Sequence, residues 1–91
     1  MGTKKVKYTK QSISQIPNDK PVLYRIVTET GRPNYIGVAQ RGWVHEIISE
    51  HLGKIPGATV IIEQFDDIKD AMKKEINVIK RAKAKYKRQG K

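Results

Sequence analysis

From Pro21 to Thr28 the chain is made of residues that favour extended backbone. Their alternation places Val22, Tyr24 and Ile26 on one side and Leu23, Arg25 and Val27 on the other. Thr30–Asn34, with Gly31 and Pro33, reads as a turn, and Tyr35–Ala39 reads as a second strand returning antiparallel to the first. Gly37 lies inside that second strand, where a glycine weakens the ladder and marks a close approach by another group. From Trp43 the period lengthens. Trp43, Val44, Ile47, Ile48 and His51 share one side and Glu46, Ser49 and Glu50 the other, as in an amphipathic helix ending near Leu52-Gly53. A loop containing Pro56 and Gly57 leads to a third strand, Ala58–Phe65. Asp66 or Asp67 then caps a long helix from Ile68 to the mid-eighties. The order β-β-α-β-α predicts an α+β domain with a small three-stranded antiparallel sheet flanked by helices, over residues 20–91. Residues 1–19 read as a basic, polar arm anchored by Ile13 and Ile16.

The long helix carries one residue of the wrong polarity. Ile68, Met72, Ile79, Ala82 and Tyr86 form its apolar stripe, and Glu75 falls within it. An inward carboxylate is costly unless an ion pair (Arg25 being one partner within the same domain), hydrogen bonds or a metal ion satisfies it. His51 is the second inward polar residue, either a hydrogen-bonded core histidine or part of a site.

Charge adds a partner class to this outline. The 91 residues carry a formal charge of +10, concentrated at the ends: four lysines and no acid in residues 1–10, seven basic residues and no acid in residues 80–91. The middle of the chain holds 8 basic residues against all 9 acids and is nearly neutral. Basic ends on a neutral body point to a polyanion, nucleic acid ahead of an anionic membrane, with solvated solubilising tails as the plain alternative. The longest apolar run, Ala58–Ile62, is too short to cross a bilayer, and the opening residues hold no apolar leader stretch. Val6 stands where a myristoylation signal needs Ser or Thr. The absence of cysteine removes disulfides and thiolate zinc sites and is compatible with a cytoplasmic location.

Familiar catalytic signatures fail on spacing. His45-Glu46 begins like the zinc-protease helix motif, but Ser49 occupies the second histidine position and His51 lies on another face of the helix. Gly53-Lys54 lacks the rest of a phosphate-binding loop, and no serine sits in a nucleophile-elbow context.

Tyr35-Ile36-Gly37 gives a different lead. Together with Pro21–Arg25 eleven residues earlier, a following helix with His51, and Ala71–Glu75 on the last helix, it resembles the GIY-YIG nuclease domain in its small stand-alone form, over residues 20–91. The second tripeptide is intact, whereas the first reads Val22-Leu23-Tyr24 and keeps only its tyrosine. The resemblance implies a DNA endonuclease that hydrolyses phosphodiesters with one divalent ion, Mg²⁺ or Mn²⁺. Glu75 would be the metal ligand, Tyr24 and Tyr35 would lie near the scissile phosphate with one helping to deprotonate the nucleophile, and His51 would contribute to the same cleft. An unaided tyrosine titrates near pH ~10, so it needs a nearby cation to act as a base. Arg25, Arg41, Lys80, Arg81, Lys83, Lys85, Lys87 and Arg88 are the residues expected to grip phosphates.

Two positions depart from the family pattern. Ile47 stands where the family usually carries an arginine aimed at the phosphate, and Lys87 follows Tyr86 where the family often carries an asparagine. Loss of one such electrostatic support typically lowers a rate by ~10²–10³. Three readings therefore stand: a metal-dependent endonuclease, DNA ahead of RNA; a domain of the same fold that binds nucleic acid without cutting; and a small basic protein-interaction domain. A monomer is expected, with a protein partner for targeting.

Overall fold

A computed structural model of the chain describes residues 3–82 and 86–87. Val22–Val27 and Pro33–Ala39 form the expected antiparallel hairpin, with Tyr24 opposite Gly37 and Ile26 opposite Tyr35. In chain order the elements are β1 (Thr3–Lys7), α1 (Lys10–Ile13), β2 (Val22–Val27), β3 (Pro33–Ala39), α2 (Val44–Ser49), β4 (Thr59–Gln64), α3 (Ile68–Ala82) and β5 (Tyr86–Lys87). The fold is α+β. Its sheet runs β1-β4-β2-β3-β5, the first four strands antiparallel and the two-residue β5 lying parallel beside Tyr35 and Ile36 of β3.

Four antiparallel strands, not three, make the body of the sheet, because the segment read as an arm supplies β1. Thr3–Lys7 pairs with Thr59–Glu63 of β4 along its whole length. Its side chains are exposed apart from the half-buried Val6, so main-chain pairing holds it and it shows little apolar alternation. Ile13 and Ile16 follow it into the core at 0% and 2% exposure, as the anchors they were expected to be. The long helix is described to Ala82, and Tyr86, placed by periodicity on the helical stripe, joins β5 instead. Neither Tyr86 nor Lys87 sits in a run with a strand signal of its own; pairing with β3 sets these two residues as a strand.

Strand alternation divides the interior into two layers. Val22, Tyr24, Ile26, Ala39, Val60 and Ile62 face α1 and α2, where Ile13, Ile16, Val44 and Ile48 complete the larger core. Leu23, Ile36 and Phe65 face Ala71, Val78 and Ile79 of α3 on the opposite side. The buried face of α3 is thus Ala71, Glu75, Val78 and Ile79, turned away from Met72, which is exposed. Asp67 caps this helix, its carboxylate accepting from the Lys69 N–H.

The start of α2 is held from a distance. Trp43, its N-cap, makes no side-chain capping bond, but the Val44 N–H donates to Asn18 Oδ1 and the Gly42 N–H to the Asn18 carbonyl, each at 2.9 Å. The His45 ring donates to the Ile16 carbonyl. α2 is shorter than its periodicity predicts. After Ser49 the chain tightens into i→i+3 turns through His51 and Leu52, and Gly53 takes a φ of +84°. No helix among the described residues is long and apolar enough to cross a membrane.

Candidate functional site

The hairpin and the turn after α2 bring three rings together. Tyr24 rises from the middle of β2 and Tyr35 from β3, on the sheet face that packs against α1 and α2. Between them lies Gly37, and the close approach expected there is present: a Cβ at Gly37 would stand 2.8 Å from the Tyr24 hydroxyl and 3.0 Å from the Tyr35 ring. Only a glycine leaves room for the two tyrosines to stack, with ring centroids 5.9 Å apart and planes 25° apart. His51 closes the group, 4.4 Å from the Tyr35 ring centroid and 5.8 Å from that of Tyr24.

Within this cluster the Tyr24 hydroxyl and His51 Nε2 are 2.8 Å apart. Burial lowers the His51 pKa below the usual histidine value; Glu50 opposes the shift and Lys54 adds to it. The imidazole is therefore neutral near pH ~7, and its Nε2 accepts from the Tyr24 hydroxyl in one tautomer and donates to the Tyr24 oxygen in the other. Tyr24 is 1% exposed, whereas Tyr35 and His51 are half-buried, so the cluster meets solvent through Tyr35 and His51.

Glu75 lies in the other layer. It is 7% exposed on the sheet-facing side of α3, among Ala71, Val78 and Ile79, so the inward position read from the sequence is the observed one. Arg25, half-buried on β2, points to that same layer as Leu23 and Val27 do. Residues from both layers come together around Val38, Ala39 and Gln40 at the end of β3. There a cleft of about 320 Å³ opens between α2 and α3, lined by Val38, Ala39, Gln40, Trp43, Ile47, Ile68 and Met72. Ile47, at the family's arginine position, packs against the core and forms part of this wall.

The other expected phosphate contacts are dispersed. Arg41 is exposed in the loop between β3 and α2, and Lys80 is exposed on α3. The backbones of Arg81 and Lys87 lie in α3 and β5, and Lys83, Lys85 and Arg88 lie outside the described residues. β1 and β5, which carry Lys4, Lys5, Lys7 and Lys87, are the outermost strands, about 19 Å apart at ~4.8 Å per strand.

Among the described residues no group of three or more His, Asp or Glu side chains is placed to hold a metal ion. Glu75 is the donor to consider. One carboxylate suits Mg²⁺ or Mn²⁺, which keep water ligands and complete their shell with substrate phosphate oxygens. Of the donors such an ion needs, the described residues supply this one carboxylate, set in the layer opposite the three rings.

Two contributors escaped the sequence reading. Asn18 caps α2 from 26 residues away, a relation no local pattern encodes. Asn34, read as a turn residue, is buried, and its side-chain amide donates to the Pro56 carbonyl at 2.8 Å. No protein-family model matches the chain, and no curated protein or solved structure matches it significantly.

Proposed function

We propose that the chain is a nucleic-acid phosphodiesterase of the GIY-YIG type, a divalent-cation-dependent endonuclease acting on DNA. The convergence of Tyr24, Tyr35 and His51 over Gly37 carries this reading. These residues come from three separate segments and were singled out by a motif, and they assemble into one partly solvent-facing cluster.

Each group has a role that follows from its place. Hydrolysis needs a water proton removed as the oxygen attacks phosphorus, the P–O bond to the leaving oxygen broken, and a proton returned to that oxygen. Tyr35 and His51 are accessible enough to meet the phosphate, and neutral His51, in the tautomer whose Nε2–H faces the Tyr24 oxygen, can accept a proton at Nδ1. Tyr24 is buried and acts by fixing the His51 ring through their hydrogen bond. By the resemblance rather than by its place, Glu75 would hold the divalent ion, which when bound supplies positive charge. The basic chain ends give sequence-independent grip.

A second reading, binding without cutting, is favoured by two specific observations. Ile47 presents an apolar wall where the resemblance expects a cation, and Glu75 approaches from the opposite layer of the sheet. A plasmid-nicking assay in Mg²⁺ or Mn²⁺ separates the two. Metal-dependent nicking by the wild type that is lost in Glu75→Gln supports the endonuclease. Tight, salt-sensitive binding with no nicking supports the binding domain.

A further inference from the structure

The cleft at the outer edge of β3 is more than a gap between two helices. Trp43 stands on its rim at 55% exposure, an unusual position for the largest apolar side chain in the protein. Ile47, Ile68 and Met72 supply the remaining apolar wall, and exposed Gln40 adds an amide able to donate and accept. Among the described residues β5 pairs with Tyr35 and Ile36 of β3.

The charge around the cleft is ordered. At 3.6 residues per turn Lys69, Met72, Lys73, Ile76 and Lys80 fall on one flank of α3. All five are exposed, Met72 at 40% and Ile76 at 57%, and no acid falls on this flank. The outward side of α2 instead carries Glu46 and Glu50, both exposed. An occupant with an apolar, flat part and an anionic part is therefore oriented, its flat part toward Trp43 and its charge toward α3.

We infer that this cleft takes one unpaired nucleobase of a single-stranded or branched nucleic acid, stacked on Trp43, with the adjoining phosphates along the Lys69–Lys73–Lys80 flank. The inference rests on the nucleic-acid reading above and deepens it by naming the substrate class. An exposed aromatic ring beside a row of cations is the arrangement that binds single strands, since every base offers a π-face and every linkage a negative charge. A base inside a duplex offers no such face, so the cleft selects unpaired segments.

Trp43 is the sole tryptophan, so its fluorescence reports directly on the cleft. The full chain is titrated with a short oligo(dT), with the same strand lacking its bases, and with a blunt duplex. We expect oligo(dT) to quench Trp43 at saturation and the baseless strand and duplex to leave its emission unchanged. Trp43→Ala should weaken oligo(dT) binding about 5- to 100-fold while leaving duplex affinity as it was, and Trp43→Phe should restore most of the loss. Binding of both nucleic acids with unperturbed Trp43 emission overturns the inference and leaves the nucleic-acid reading standing. Failure to bind either overturns both. Quenching that follows protein concentration without nucleic acid overturns the inference in favour of a second copy of the chain. The wild-type titration decides the matter even if an alanine variant folds poorly.

Discussion

The Tyr24 hydroxyl lies 2.8 Å from His51 Nε2, tying the middle of the central strand to the turn after α2 across 27 residues of sequence. The bond joins a ring that is 1% exposed to one that solvent can reach, so it transmits the rigidity of the sheet to the accessible part of the cluster. In Tyr24→Phe the ring packing is kept and the bond is lost. We expect a stability loss of about 0.5–1.5 kcal/mol by urea denaturation. If the cluster is the reactive site, cleavage should fall much further than this modest loss explains.

The pH dependence of stability follows from the same ring. Burial, outweighing Glu50, holds the folded-state pKa of His51 below its unfolded value of about 6.5. As pH falls the unfolded chain takes up the proton first. The stability linked to neutral His51 is therefore fully present above about pH 6.5 and declines as pH drops from there toward the folded pKa. Denaturation midpoints at about pH 7.5 and about pH 5.5 should differ in that sense, and by less in His51→Gln, where the titrating group is gone.

Gly37 sets the spacing of the two tyrosines. A methyl group there meets the Tyr24 hydroxyl and the Tyr35 ring at distances that require one of them to move. Gly37→Ala should cost about 1–3 kcal/mol, in the range of an overpacked core. It should also move the His51 ring resonances in an NMR spectrum, because Tyr24 cannot shift without releasing Nε2.

Asn18 should behave as a helix cap despite its distance in sequence. Asn18→Ala removes the acceptor for the Val44 N–H and should cost about 1 kcal/mol, with faster amide exchange at the start of α2. Asp19→Ala serves as the control, because its neighbouring carboxylate makes only an exposed contact with Gln64.

These residues also show what a sequence discloses. The β2–β3 hairpin, the third strand of the reading and the inward Glu75 were legible because burial imposes a period on the side chains. β1 was not, because an exposed edge strand is held by backbone bonds that leave little side-chain pattern. β5 was hidden for a related reason, since Tyr86 fits the helical rhythm of α3 and only its pairing with Tyr35 of β3 marks it as a strand. The motif located Tyr24, Tyr35 and His51, and Gly37 foretold their crowding. It did not reveal that Glu75 sits across the sheet, because the motif fixes positions along the chain and not the side of the sheet on which the last helix packs.

The most direct test is single-turnover cleavage of a branched DNA substrate in Mg²⁺ by the wild type, Tyr35→Phe and His51→Ala. We expect the wild type to cut, and each variant to lose about 10²-fold or more in rate while still binding the DNA. Cleavage unchanged in both variants, or a wild type that binds the substrate and never cuts it, would contradict the assignment of this cluster as a phosphodiester-hydrolysing site.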